Sequence, residues 1–258
     1  MILIFFAVAF FAGCSSITAR LPDRAPDARD TPTAADAQMV LSILRNQNQS
    51  LQSFKGIGKI KVRYKQKLKF DERIAWIGSE NANLRIELLV SGQSAVKMST
   101  DGKWFYYYEA RQGEPLYKKD PATDASLKRI VAIPIKVSDI VHLLAGRVPL
   151  REHGSAKLIR QDSANSYVLA LKRKWAGVTE KIFLDESKSR VHQIEFYHHT
   201  GSLVYRVLFE EMQNIDGYQV PAKLRILNDD GADFHLIVER YWTNINVSPS
   251  MFVLNPPK

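Results

Sequence analysis

Among the side chains able to form a covalent bond, hold a metal or move a proton, Cys14 has the most telling context. It is the sole cysteine of 258 residues, and it follows an uncharged apolar run of about ten residues that ends in the small pair Ala12-Gly13. Such a run is too short to cross a bilayer, which takes roughly 20 apolar residues, but it suits the core of a signal peptide. The stretch Phe11-Ala12-Gly13-Cys14 resembles a bacterial lipobox, where the chain is cut before the cysteine and lipid is attached to its sulfur and new amino group. A secretory signal with an incidental cysteine is the plainer alternative. Acyl chains at Cys14 would hold the protein on a membrane, each buried methylene contributing about 0.8 kcal/mol. Ser15 and Ser16, rather than Asp, follow the cysteine. By resemblance to lipoproteins of Gram-negative bacteria, this favours the outer membrane, with the protein facing the periplasm.

Other reactive constellations are thin. The six histidines are His142, His153, His192, His198, His199 and His235. Adjacent strand residues such as His198 and His199 point to opposite faces, no His-x-x-x-His occurs, and no metal site is expected. Gly154-Ser155-Ala156 and Gly92-Gln93-Ser94 lack the pattern of a nucleophile elbow. Glu210-Glu211 and Asp229-Asp230 read as strand ends and turns, and no glycine-rich phosphate loop is present. With no cysteine after Cys14, disulfides and thiolate chemistry are excluded from the remainder. The expectation is a non-enzyme without a cofactor. Its 36 basic and 27 acidic side chains leave a net charge of +9, which attracts anionic lipid or another anionic envelope component. An extracytoplasmic address makes nucleic acid a poor partner.

The elements that must carry any site follow from periodicity. Residues 15–36 contain Pro22, Pro26 and Pro32 with Leu21 as the one large apolar residue from Thr18 to Asp36, too little to repay the entropy of ordering. The expected division is a signal peptide at 1–13, the lipidated cysteine and a flexible tether at 14–37, and a single domain at 38–258. Apolar residues at helical spacing predict a helix from Ala35 to Leu51. Phe54–Phe70 alternates with period two, as a half-buried antiparallel strand requires. Ile60, Val62, Tyr64, Leu68 and Phe70 face one way; Lys55, Lys59, Lys61, Arg63, Lys65, Lys67 and Lys69 face the other. Further strands follow in a meander through Glu109, with Trp104, Tyr106 and Tyr108 on one face. Helices are expected at 123–133 and 136–144, then a second run of strands from Ala156 to Trp242. No helices separate those late strands, so a parallel α/β sheet is disfavoured. The fold class is mainly β with α: one long, curved antiparallel sheet wrapped partly around a small helical element.

At this level the chain resembles the LolA/LolB lipoprotein-sorting superfamily. The resemblance rests on Leu51-Gln-Ser-Phe-Lys-Gly-Ile-Gly58, on Ile133-Pro-Ile-Lys-Val-Ser-Asp-Ile-Val-His-Leu-Leu-Ala-Gly146 and on the closing Phe252-Val-Leu-Asn-Pro256, and it covers residues 38–256. It implies an incomplete β-barrel with a leading helix and a central helical insertion over an apolar concave face that receives acyl chains. An exposed apolar loop for membrane contact is also implied; Ile133 and Ile135 beside Pro134 are the available residues.

The side chains expected on the concave face are Ile60, Val62, Trp76, Leu84, Ile86, Leu88, Val96, Met98, Trp104, Tyr106, Leu169, Ile194, Phe196, Tyr205 and Val207. They are either an ordinary core or the wall of a cavity. The basic face from Lys55 to Lys69 is either a solvated face that discourages edge pairing or a contact for anionic headgroups. Two functions follow: a lipid-anchored carrier of an apolar ligand, lipid or acylated protein, or an accessory scaffold lipoprotein that joins an envelope assembly through its basic face.

Overall fold

The computed structural model describes residues 31–80, 82–123, 133–161 and 165–257. The leader with Cys14, most of the tether, and nearly all of the helix expected at 123–133 lie outside the described residues.

Helix α1 (Ala34–Asn46) begins four residues before the expected domain start. Thr33 caps it: the Asp36 amide donates to Thr33 Oγ1 at 3.2 Å, and the Thr33 amide donates to Asp36 Oδ2 at 2.7 Å. This reciprocal capping box satisfies two amides that a helix start leaves unpaired. The helix stops well short of Leu51 because Asn48 takes a positive φ of 52°. Its side-chain amide instead donates to Ala145 O and Gln219 O.

Thirteen antiparallel strands follow in one sheet. They are β1 (Ser53–Tyr64), β2 (Lys67–Ser79), β3 (Asn83–Val90), β4 (Gln93–Thr100), β5 (Trp104–Glu109), β6 (Leu116–Pro121), β7 (Ser155–Gln161), β8 (Ser166–Arg173), β9 (Gly177–Leu184), β10 (Val191–Tyr197), β11 (Leu203–Ile215), β12 (Tyr218–Leu227) and β13 (Ala232–Thr243). Helix α2 (Val137–Leu144) interrupts them after β6. The spatial order is β6-β5-β4-β3-β2-β1-β13-β12-β11-β10-β9-β8-β7, a curved sheet that does not close. Two consecutive meanders are thus joined at β1 and β13, whose register runs from Phe54 opposite Thr243 to Tyr64 opposite Ala232.

The expected single strand over Phe54–Phe70 is two strands. The chain reverses at Lys65-Gln66, both at positive φ (49° and 64°), the conformation that matches the right-handed twist of a tight hairpin. Period-two alternation persists in both arms, so the sequence pattern runs through the turn without a break. Glycines allow close packing near the centre of the sheet. A Cβ on Gly56 would stand 2.1 Å from Trp76 Cζ2, and one on Gly78 would stand 2.4 Å from Phe54 Cζ.

The concave face is covered unevenly. Toward β7–β11 it is packed: Ala37, Val40, Leu41 and Leu44 of α1 join Leu158, Leu169, Leu171, Ile182, Ile194, Phe196 and Val207 in the buried cluster, and an open cleft borders it between α1 and β10–β12. On the opposite, convex side the C-terminal tail forms a strap. Its Met251, Phe252 and Leu254 carbonyls accept from Arg85 Nη1, Ser99 Oγ and Tyr117 OH at 3.1, 2.7 and 2.9 Å. Phe252 and Leu254 are buried.

Candidate ligand cavity

Under α2 the sheet is not filled. A cavity of about 270 Å³ is bounded by Ile60 and Val62 of β1, Phe70, Ile74 and Trp76 of β2, Ile86 and Leu88 of β3, Val96 and Met98 of β4, and Tyr107 of β5. Leu224 and Ile226 of β12 and Phe234 and Leu236 of β13 continue the wall. Ile133, Ile135, Ile140, Leu143 and Leu144 form the roof. Strand pairing brings these residues together: Trp76 lies opposite Ile86, Ile86 opposite Met98, and Met98 opposite Tyr107. Directly paired residues share a face, so one apolar row crosses four strands. The Tyr107 hydroxyl is turned to Glu109 Oε2 at 3.0 Å. The lining offers a charge no counterpart. Phe70 is half exposed, and there the cavity meets the surface. Ligand sites commonly occupy roughly 300–1,000 Å³, so this space lies just below that range.

Seven of the expected concave residues meet here: Ile60, Val62, Trp76, Ile86, Leu88, Val96 and Met98. Trp104 and Tyr106 do not, and this corrects the expected face of β5. Asp101 Oδ1 accepts the amides of Lys103 and Trp104, and the strand then leaves the turn with Phe105 and Tyr107 facing inward. Trp104 and Tyr106 lie on the opposite face, Tyr106 still buried there, and Lys119 Nζ lies 4.7 and 5.5 Å from their ring centroids. A strand with aromatics at five successive positions gives no alternation from which to read its face, and a one-residue slip exchanges the faces. Leu169, Phe196 and Tyr205 are on the concave side but in the packed half, away from the cavity. Ile133 and Ile135, considered above for membrane contact, are 1% and 3% exposed and roof the cavity.

The basic residues also separate. Lys55, Lys59, Lys61 and Arg63 lie on β1, Lys65 in the turn, and Lys67 and Lys69 on β2. Lys61 Nζ is 3.2 Å from Asp71, and Arg63 pairs across from Asp233. Acidic neighbours therefore break up what the sequence presents as a continuous ladder.

The sequence reading passed over a buried polar knot beside the cavity. Arg151 donates from Nη1 and Nη2 to the two carboxylate oxygens of Asp139 on α2 at 2.9 and 2.7 Å. The Tyr205 hydroxyl donates to Asp139 Oδ2 at 2.8 Å, and the guanidinium lies 4.4 Å from the Phe196 ring centre. The Arg151 amide donates to Glu180 Oε2 at 2.8 Å. Burial pushes the Glu180 carboxyl up to about 8, against the opposing pull of that amide. A signal was available: Glu180 occupies the same alternating face of β9 as buried Ile182 and Leu184.

No protein-family model matches the sequence, and no curated protein matches it. Solved structures do. A LolA superfamily protein from Nitrosomonas europaea superposes with a TM-score of 0.57 at 18% identity, covering 84% of this chain and 97% of that one. The chain has the LolA-like fold. A DUF1329 family protein from Desulfovibrio piger is similar at a TM-score of 0.56 and 12% identity, over 86% of this chain and 98% of that one. A candidate outer membrane lipoprotein-sorting domain from Vibrio parahaemolyticus gives 0.56 at 11%, over 85% and 97%. At such identities the LolA-like relationship is one of architecture.

Proposed function

We propose that this LolA-like chain is a non-catalytic carrier, attached through lipidated Cys14 to the outer membrane of a Gram-negative bacterium, that holds acyl chains of a lipid or acylated protein in its cavity. The observation that carries this reading is the predominantly apolar lining, without a charged side chain, of a space open at Phe70. Burying each methylene there contributes about 0.8 kcal/mol, from which the ordering of the ligand subtracts. A charged headgroup finds no partner inside and stays at the mouth. The names of the Nitrosomonas and Vibrio neighbours support the same direction. A scaffold acting through the basic face draws less support, because Asp71 and Asp233 already neighbour Lys61 and Arg63.

Native mass spectrometry of the protein incubated with palmitate or dipalmitoyl phosphatidylglycerol tests the carrier. Bound lipid is expected in the parent protein. Leu88→Glu places a carboxylate in the lining and is expected to lower occupancy at least tenfold while leaving the circular dichroism spectrum intact. A parent protein that takes up neither lipid, or a folded Leu88→Glu protein that binds as well as the parent, rules the cavity out as the site.

A further inference from the structure

The cavity is small for a carrier of acyl chains, so a wall must move to admit more than a single slim chain. The polar contacts of α2 indicate which wall. Its first turn is clamped to β11 and to the segment before β7 by the Asp139–Arg151–Tyr205 knot. Its last turn is held by the Tyr241 hydroxyl of β13, which donates to Leu144 O at 3.1 Å. Just beyond it, Arg147 donates to the Asn48 carbonyl at 2.8 Å and also to that of Leu51, and Asn48 donates to Ala145 O at 2.8 Å. All these partners belong to α1's exit, β11, β13 and the segment before β7. From Val137 to Arg151, no hydrogen bond reaches β2–β6 among the described residues; α2 meets those strands through apolar side chains around the cavity.

We infer that α2 is the fixed wall of this cavity and that the β2–β5 strands are the moving one, swinging away from α2 when acyl chains enter. The inference rests on the carrier reading and adds the direction of opening. Its physical basis is the asymmetry of the two contacts. Separating α2 from β11 takes the Tyr205 hydroxyl away from the buried carboxylate of Asp139, which is costly where no water can replace it. Separating α2 from β3 and β4 exposes apolar surface that the entering acyl chain covers again.

The test uses the full chain with Cys14→Ser, so that introduced cysteines are the sole thiols, and spin-label distances by double electron–electron resonance. One labelled pair joins Ser138 on α2 to Gln93 at the start of β4; the other joins Ser138 to Thr200 between β10 and β11. Palmitate is added in excess, with occupancy checked by native mass spectrometry. The Ser138–Gln93 distance is expected to lengthen by more than about 2 Å, with Ser138–Thr200 unchanged. Movement of Ser138–Thr200 alone, or of neither pair with palmitate bound, overturns the inference and leaves the carrier intact. Failure to bind palmitate or dipalmitoyl phosphatidylglycerol removes the carrier reading and this one with it. Asp139→Asn keeps the shape of the knot and removes a charge; it is expected to make the Ser138–Thr200 distance respond to palmitate. A response no larger than the parent's overturns the role given to the carboxylate.

Discussion

Glu180 shows how one residue can tie stability to pH. Its carboxyl has one oxygen on the Arg151 amide and the other buried without a partner among the described residues. Burial therefore favours the neutral acid, and the native state keeps a proton that the unfolded chain releases. With the carboxyl raised from an ordinary 4.5 to about 8, the folded protein binds more protons throughout that interval, so stability falls as pH rises across it and levels above it. Glu180→Gln removes the titration and retains an acceptor for the amide. In urea denaturation at pH 5 and pH 8.5, the parent is expected to lose on the order of 2–4 kcal/mol that the variant does not lose. Parallel losses in both proteins would show that Glu180 is not the source. Gly56 acts by absence of a side chain: the Trp76 ring occupies the place of its Cβ. Gly56→Ala is expected to destabilise the protein by about 1–3 kcal/mol through overpacking, measured as a shift of the urea midpoint. An unchanged midpoint would mean that Trp76 has room to move.

At the scale of elements, the C-terminal strap and the β1–β2 hairpin have opposite characters. The strap has little regular structure, only a 3₁₀ turn at Pro249–Phe252, yet its Phe252 side chain is 1% exposed while Met251 is 38% exposed. Three strand side chains hold its carbonyls, so β3, β4 and β6 are braced from outside as well as through the sheet. Phe252→Ala is expected to cost about 3–5 kcal/mol, and Met251→Ala under 1 kcal/mol, by thermal or urea unfolding. Similar losses for both would deny the strap its bracing role. The hairpin, by contrast, is regular but partly uncovered at its tip, with Tyr64, Leu68 and Phe70 exposed. Its β1 cations lie on the face away from the cavity, where Asp71 and Asp233 interrupt them.

Taken whole, the molecule divides a single sheet between two tasks. The β7–β11 half is packed, with α1 against β7, and carries the polar knot, which ties α2 to that half. The other half curves over empty apolar space, and a strap supports its outer surface. A cavity survives because α1 packs chiefly against β7, at the far end of the sheet, and α2, a helix of 8 residues, is too short to fill the rest. The Leu88→Glu and spin-label experiments address this division directly. The first asks whether the unfilled half holds lipid, and the second asks which half moves.

The sequence by itself determined the class of the fold, because alternation with period two and helical spacing are local consequences of backbone geometry. It located α1, the segment that becomes α2, and strands contributing seven residues to the cavity wall. It could not determine the face of β5, where aromatics occupy both parities, or the break at Lys65-Gln66, where alternation continues through a turn. Nor could it tell that Leu169, Phe196 and Tyr205 lie in the packed half and Met98 beside a cavity, since an apolar side chain has the same pattern whether a packed neighbour or a void faces it. Those distinctions arose when β1 paired with β13 and placed the two meanders side by side. That pairing joins residues nearly two hundred positions apart, and contacts at that distance leave no periodic trace along the chain.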